Sequence, residues 1–191
     1  NKIVCISVGM VSKEGVVRVK SLTGEERDII EQFCSIANKF DYLAGVNLLG
    51  FDMPILTANG ARYFDMTEML KDSFSVSGKK PWDIKNIIEL LDVFKGTGFI
   101  NPSLVEMCLH FGIETPKDDI SGADVARVYY EEENGIERIA KYCNKDVFVT
   151  INLFQAMRHK ERFETFVEVV TGQQKEDTVK EKQYQTLLHE L

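Results

Sequence analysis

The sequence IERIAKYCNKDVFVTINLF, from Ile136 to Phe154, organises the rest of the chain. Tyr142 and Asp146 lie four residues apart in it, so both project from one side of the predicted helix, beside its buried stripe. Taken alone, the pair is most simply a half-exposed tyrosine and a solvated aspartate, and a second acidic position upstream favours a functional interpretation. The stripe consists of apolar residues with the helical period, namely Ile136, Ile139, Ala140, Cys143, Val147, Ile151 and Phe154.

The composition is typical of one globular domain inside the cell. The chain has 191 residues, of which 44% are hydrophobic and 28% charged, enough for a sizeable core. Its net charge of −7 excludes general binding of polyanions by a basic surface, although metal ions can neutralise an acidic site that acts on nucleic acid. No apolar run is long enough to span a membrane, and no signal peptide is recognisable. Four cysteines without a CxxC pair indicate a reduced, cytoplasmic protein: Cys5, Cys34, Cys108 and Cys143.

The first part of the chain predicts a hairpin followed by a helix. The apolar run from Ile3 to Gly9 is typical of a buried strand, and Val16 to Val19 forms a second strand after a turn. Thr23 and Glu26 have the spacing of a capping box, in which two side chains satisfy the free backbone groups at a helix start. These elements therefore predict an antiparallel pair with a helix behind it.

A third predicted strand, from Tyr42 to Val46, leads into the turn that carries the second acidic position. The turn ends at Asp52, and Pro54 favours the first turn of a helix directly after it, where its missing N–H costs nothing. Asp52 is therefore expected at a helix N-terminus just beyond a strand end. Functional residues of open α/β sheets usually lie at such places.

The second half of the chain predicts mainly helices. Ile84 to Phe94 fits either a strand or a helix. Capping boxes at Ser103 with Glu106 and at Ser121 with Asp124 each predict a helix start. A further amphipathic helix is predicted from Phe163, Phe166, Val167 and Val170. The predicted elements begin with strands, continue with alternating strands and helices, and end with helices alone. This order predicts a mixed α/β domain.

Asp52 and Asp146 are the candidate metal ligands. Carboxylate oxygens at separated positions suit Mg²⁺ or Mn²⁺, which keep several water molecules and bridge to phosphate. A hydroxyl group such as that of Tyr142 can orient or deprotonate a water molecule beside such a site. Two metal ions about 4 Å apart would stabilise both the attacking and the leaving oxygen of a displacement at phosphorus.

These residues resemble two motifs of a known family. Asn47-x-x-x-Phe51-Asp52 and Tyr142-x-x-x-Asp146 are similar to the second and third motifs of the DEDDy 3′–5′ exonucleases. The resemblance is strongest to the predicted exonucleases related to the proofreading domain of family B DNA polymerases, and it extends from Lys2 to about Leu153. Further blocks that are similar in order and spacing are Ser77 to Trp82, Ser103 to Gly112, Pro116 to Val125 and Ile136 to Asp146.

The resemblance implies a ribonuclease H-like α/β fold, a mixed sheet flanked by helices, over residues 1–172. Residues 173–191 would form a polar tail with a short amphipathic helix. Asp146 would bind the first metal ion, and Asp52 the second, largely through water. Tyr142 would position and help deprotonate the attacking water, and Asn47 and Phe51 would contact the terminal nucleotides.

In activity, the resemblance implies a metal-dependent 3′–5′ exonuclease. It would use Mg²⁺ or Mn²⁺ and release nucleoside 5′-monophosphates. The expected partners are single-stranded or frayed nucleic-acid 3′ ends, with DNA favoured over RNA, and replication or repair proteins. No membrane partner is expected.

The chain departs from the family in its first motif. The family carries Asp-x-Glu on a strand immediately upstream of the one that begins here at Lys2, and Ile3 to Gly9 contains no acid. We therefore expect a fragment of a longer active protein that lacks the first, central strand, binds metal poorly and cleaves slowly or not at all. A lesser departure is Val46, where relatives often have histidine before the asparagine.

Two other interpretations remain open. One is a non-catalytic, nuclease-like module that holds nucleic-acid ends or docks on replication proteins, in agreement with the acidic balance and the polar tail. The other is an unrelated α/β domain whose carboxylates are solvated surface groups. The unrelated domain predicts that Asp52 and Asp146 lie far apart, whereas both nuclease-like interpretations require them to face one cleft.

Overall fold

A computed structural model describes residues 2–115 and 120–169 and has a mixed α/β fold. Within these residues, the two longest strands lie at the N-terminal end, and the longest helix lies near the C-terminal end. Single turns of 3₁₀ or π helix join several of the elements. In chain order, the elements are β1 (Cys5–Val11), β2 (Val17–Thr23), α1 (Glu26–Ala37), β3 (Leu43–Gly45), α2 (Met53–Gly60), α3 (Met66–Met69), β4 (Ile87–Glu89), α4 (Leu90–Lys95), α5 (Leu104–His110), α6 (Val125–Glu131), α7 (Gly135–Met157) and β5 (Val167–Glu168).

The strands form two separate sheets. β1 and β2 are the predicted antiparallel hairpin, with Cys5 opposite Thr23, and the short β5 lies parallel to the far side of β2. β3 and β4 form a second, parallel sheet. Among the described residues, β1 pairs only with β2 and β3 pairs only with β4. One edge of β1 and one edge of β3 are therefore left without a neighbouring strand.

Helix α7 lies across the hairpin and is held there by a buried asparagine. The Asn144 side-chain oxygen accepts hydrogen bonds from the Ser7 hydroxyl at 2.8 Å and from the Ser21 hydroxyl at 2.7 Å. Ser7 and Ser21 are directly opposite each other in the hairpin, so one oxygen holds both strands. These bonds set the rotation of α7 about its axis and hence the direction in which Asp146 points.

Two of the apolar clusters hold helices against the sheets. One lies around α1 and α2 and buries Ile30, Cys34 and Phe74 among others. The other joins α4 and α5 to the second half of α7 through Leu90, Met107 and Leu153. All of these side chains are almost fully buried. Burial of each large apolar side chain contributes roughly 1.5–3 kcal/mol, so these clusters provide most of the stabilisation.

The predicted capping box at Thr23 and Glu26 is wrong. Helix α1 begins at Glu26 without a side-chain cap. The Glu26 carboxylate, which is 3% exposed, instead accepts hydrogen bonds from the Ile3 backbone N–H at 2.7 Å and the Tyr63 hydroxyl at 2.8 Å. Asn59 donates a third at 2.8 Å. The Glu26 carboxylate therefore belongs to a network of tertiary hydrogen bonds, although its local spacing predicted a helix cap.

The predicted helix from Phe163 to Val170 is also wrong within the described residues, which end at 169. The backbone N–H of Phe163 donates to the Asn152 side chain at 2.8 Å, and the Val169 N–H donates to the Val19 carbonyl at 2.8 Å. The chain here is extended and adds β5 to the first sheet. The tail predicted at 173–191 lies outside the described residues.

Other local predictions agree with the structure. The Ser103–Glu106 and Ser121–Asp124 capping boxes are both formed. The ambiguous segment divides into strand β4 and helix α4. Among the described residues, no helix combines the length and the apolar character needed to cross a membrane. The four cysteines are not joined by disulfides.

Replacement of Gly135 by alanine is expected to destabilise the fold by about 2–3 kcal/mol. Gly135 is buried at the start of α7, and an added Cβ would collide with the backbone carbonyl of Val128 in α6. Relief of that collision requires the two helices to separate. Urea unfolding followed by circular dichroism measures the loss. Gly122→Ala is the matched control, since a Cβ there meets nothing within 4 Å, and equal stability of the two variants would contradict the packing argument.

Candidate active site

A trough runs between the open edges of β1 and β3. Its volume is about 2170 Å³, and it is lined along the whole of β1 and along residues 43–46. α1 contributes side chains to one wall and α7 to the other. Asp52, Asp146 and the half-exposed ring of Phe51 all line this trough. Two sequence-predicted carboxylates, on elements almost a hundred residues apart, thus face one cavity.

The turn after β3 positions Asp52. Asn47 has left-handed backbone angles, with φ of 61°, which asparagine adopts more easily than most residues. From there the chain forms a single turn of π helix, Leu48–Asp52, and passes directly into α2, with Pro54 in the first turn of that helix. The Asn47 side-chain oxygen lies so close to Gly50 that a Cβ there would collide with it. The turn is therefore compact and brings Asp52 back towards the trough.

Glu89 holds this turn in place and was not predicted from the sequence. It is the last residue of β4 and is only 7% exposed. Its carboxylate accepts hydrogen bonds from the backbone N–H groups of Asn47 at 2.6 Å and Leu49 at 3.0 Å. It also caps α4 through the Leu91 N–H at 3.2 Å. A sequence signal existed, because Glu89 is an acid inside the otherwise apolar run Ile87-Ile88-Glu89-Leu90-Leu91.

Asp146 lies half-buried on the trough side of α7, and its charge raises the pKa of two cysteines on different elements. Burial raises the pKa of the Cys108 thiol to about 11, and the negative charge of Asp146 adds to this increase. The pKa of Cys143 is also raised, first by its hydrogen bond with Cys5 and by burial, and further by the charges of both Asp146 and Asp52. Both carboxylates therefore act on the same thiol, which places them in one electrostatic environment.

The other three predicted residues are distributed around this pair. The Phe51 ring lines the trough and is 57% exposed. Tyr142, one helical turn before Asp146, packs with the cluster of Ile139 and Cys143 and does not line the trough. Asn47 is exposed at the beginning of the turn, also outside the trough lining. The structure thus brings together Asp52, Asp146 and Phe51, with Tyr142 and Asn47 adjacent to them in sequence.

The Asp52 carboxyl group is unusually basic. It keeps contact with solvent, but the trough walls remove much of the water around it, and this burial raises its pKa to about 6 from an ordinary value of 3.8. The negative charge of Glu89 makes a smaller contribution in the same direction. A carboxylate that is poorly stabilised by its surroundings gains more from a bound cation than a solvated one does.

We expect the Asp52 carboxyl to titrate with a midpoint of about 6 in the metal-free protein. Because its pKa is higher in the folded than in the unfolded chain, the folded state binds the proton more tightly. Stability therefore decreases as the pH rises from about 4 to about 6, and this dependence ends above that range. Carboxyl ¹³C NMR measures the midpoint, and Asp52→Asn identifies the signal and removes that part of the pH dependence. A midpoint near 4 would contradict the proposed effect of the trough walls on this carboxyl group.

The donor set fits a loosely held divalent cation. Mg²⁺ is commonly bound by one or two carboxylates together with water and substrate phosphate, and Asp52 and Asp146 supply two carboxylates to one trough. Within residues 2–115 and 120–169, no group of three or more His, Cys, Asp or Glu side chains could hold a metal ion. Binding through these two side chains therefore depends on water and substrate oxygens for the remaining ligands.

Comparison with models of protein families gives a match over nearly the whole chain. The sequence model of a family described as "Predicted 3'-5' exonuclease related to the exonuclease domain of PolB" matches residues 1–190. The match covers nearly the whole chain and includes both acidic motifs. A comparison with curated proteins gives no match.

Proposed function

We propose, on the premise that the chain belongs to the predicted 3′–5′ exonucleases related to the exonuclease domain of PolB, that it removes nucleotides from nucleic-acid 3′ ends by metal-dependent hydrolysis. The single observation that best supports this chemistry is the presence of Asp52 and Asp146 along one trough. The interpretation as unrelated surface carboxylates required them to be far apart. DNA is the favoured substrate.

The proposed roles of the residues follow from the family resemblance, and three of the residues, Asp52, Asp146 and Phe51, also line the trough. Asp52 and Asp146 would hold Mg²⁺ or Mn²⁺, which when bound supplies positive charge for the phosphate oxygens and the attacking water. Tyr142 would orient that water and help to take its proton. The exposed Phe51 ring would pack on the terminal base or sugar, and Asn47 would donate to the terminal nucleotide. Water oxygen then bonds to phosphorus, the bond to the 3′ oxygen breaks, and that oxygen takes up a proton.

The proposal includes a ribonuclease H-like fold. The two sheets and the helices packed on them are compatible with the ribonuclease H-like mixed sheet that the resemblance implies. Two carboxylates provide fewer ligands than the family's full set. Slow cleavage is therefore the expected behaviour of this chain, and long incubations with Mn²⁺ as well as Mg²⁺ are appropriate.

The proposal is tested with a 5′-labelled single-stranded oligonucleotide. Stepwise shortening from the 3′ end, release of nucleoside 5′-monophosphate and complete inhibition by EDTA are expected. A blunt duplex should be shortened more slowly than the same duplex with a frayed 3′ end, and RNA more slowly than DNA. Internal cleavage, or no shortening in either metal by correctly folded protein, would overturn the proposal. Tight binding of the oligonucleotide without cleavage would instead indicate the non-catalytic module.

A further inference from the structure

Two cysteines from distant parts of the chain meet where β1 packs on α7. Cys5 is the first residue of β1, and Cys143 lies in the first half of α7. A hydrogen bond joins the two thiols, and both side chains pack against the apolar cluster that contains Ile139. Both thiols are free and half-buried. The structure therefore holds a pair of facing thiols that has no part in the proposed hydrolysis.

The packing around this pair brings β1 and α7 close together. Alternate residues of a strand point to one face, so Cys5, Ser7 and Gly9 lie on the same face of β1. The Ser7 hydroxyl donates to the Asn144 side chain at 2.8 Å, and a Cβ at Gly9 would collide with the Val147 side chain. Contacts on both residues that follow Cys5 on this face thus hold the helix against the strand. Two cysteines can be joined without backbone movement only at such short range.

The two thiols differ in acidity. The hydrogen bond from Cys143 lowers the pKa of Cys5, although burial acts in the opposite direction. The same hydrogen bond raises the pKa of Cys143, and burial and the charges of Asp146 and Asp52 raise it further. The thiolate is the form of cysteine that reacts with oxidants. Cys5 is therefore the thiol expected to react first, with Cys143 in place to react with the product.

We infer that Cys5 and Cys143 are a modification site, at which a peroxide joins them in a reversible disulfide. The Cys5 sulfur attacks one oxygen of hydrogen peroxide, the O–O bond breaks, and the other oxygen leaves as water. This step leaves a sulfenic acid on Cys5. The Cys143 sulfur then attacks the Cys5 sulfur, the S–O bond breaks, and a second water molecule leaves with the Cys143 proton. In total, two thiols lose two electrons and two protons, and the peroxide is reduced to water.

The disulfide would join β1 covalently to the helix that carries Tyr142 and Asp146. It would lie beside the hydrogen bonds of Asn144, which already hold that helix on the hairpin. Since Cys5 and Cys143 are more than a hundred residues apart in sequence, the bond would also restrict the unfolded chain strongly. The inference does not depend on nuclease activity, because it concerns only the two thiols and a peroxide.

Mass spectrometry of the full chain tests this inference. The reduced protein is freed of reductant, treated with a small excess of hydrogen peroxide and then alkylated. The expected results are an intact mass lower by two hydrogen atoms before alkylation, a peptide that links Cys5 to Cys143, and recovery of both thiols with dithiothreitol. Cys34 and Cys108 are internal controls, because both are fully buried and burial raises the pKa of each to about 11. Both should remain free thiols.

Variants separate the two steps. Cys143→Ser should stop the reaction at the sulfenic acid of Cys5, which dimedone traps, and Cys5→Ser should give neither the disulfide nor a dimedone adduct. Cys34→Ala is the matched control and should form the disulfide as the unaltered chain does. An unchanged number of free thiols, a bond to Cys34 or Cys108, or a disulfide-linked dimer would overturn the inference. So would oxidation of Cys5 to a sulfinic acid in the unaltered chain.

Urea unfolding gives a second readout that is independent of the oxidation chemistry. The midpoint of the oxidised chain should lie about 1–2 M higher than that of the reduced chain, because the bond closes a long loop. Dithiothreitol should remove this increase, and Cys143→Ser should not show it. A lower midpoint after oxidation would mean that the bond distorts the contact between β1 and α7, and it would contradict the inference that the two thiols are already aligned.

Discussion

Replacement of Asp146 by asparagine is expected to slow the removal of 3′-terminal nucleotides by at least about 10²-fold. Changes to groups that merely support a metal ligand typically cost 10–100-fold in metal affinity or activity, and Asp146 is proposed to be a ligand itself. Asparagine keeps the size of the side chain, so α7 should remain packed on the hairpin. The rate is measured from shortening of a 5′-labelled oligonucleotide with Mn²⁺.

A second readout keeps this prediction testable at a low cleavage rate. Mn²⁺ affinity, measured by the loss of free-ion electron paramagnetic resonance signal, should fall about tenfold or more in the same variant. Glu137→Gln is the matched control, because Glu137 is an exposed acid on the same helix. Tyr142→Phe should reduce the rate by about 10²-fold while leaving Mn²⁺ affinity unchanged. Unaltered rate and affinity in Asp146→Asn would refute its assignment as a ligand.

Replacement of Glu89 by alanine is expected to destabilise the protein by about 3–5 kcal/mol. It removes the acceptor for three backbone N–H groups, those of Asn47, Leu49 and Leu91, and with it the cap of α4. Hydrogen bonds to a charged acceptor are among the stronger ones, and the released donors are largely shielded from water. Chemical unfolding gives the free-energy change, with the exposed Glu31→Ala in α1 as the control.

The milder variant Glu89→Gln tests the link from this residue to the site. Glutamine keeps one oxygen acceptor but removes the negative charge, so the pKa of Asp52 should fall. Its NMR midpoint should therefore lie below that of the unaltered chain. An unchanged midpoint would mean that the charge of Glu89 does not affect the pKa of Asp52. A stability equal to that of Glu31→Ala would mean that Glu89 does not hold the turn.

The parts of the site that could be predicted are those set by local sequence. The helical period from Ile136 to Phe154 predicted α7, which runs from Gly135 to Met157, and the strand-turn-proline pattern predicted the setting of Asp52. Both depend on neighbours within about four residues along the chain. Their placement along one trough depends on how the sheets and helices pack, which the local patterns do not contain.

The predictions that were wrong depended on contacts between residues far apart in the chain. Glu26 has the local spacing of a cap, but its partners Ile3, Asn59 and Tyr63 are more than twenty residues away. Phe163 and its neighbours have a helical period, but Asn152 binds the backbone that a helix would need. The role of Glu89 was not predicted, because an acid in an apolar run does not by itself show which backbone groups it binds. In each case tertiary hydrogen bonds outweighed a local preference.

In the part of the chain that the structure describes, no strand pairing joins the two sheets, and this affects how the carboxylates are held. Asn144 holds α7, and with it Asp146, against the hairpin. Glu89 holds the turn that carries Asp52 against β4. One connection between these two supports is the apolar cluster of α4, α5 and the second half of α7. The distance between the two carboxylates therefore depends on side-chain packing in that cluster, and a substitution there is expected to change cation affinity without touching either aspartate.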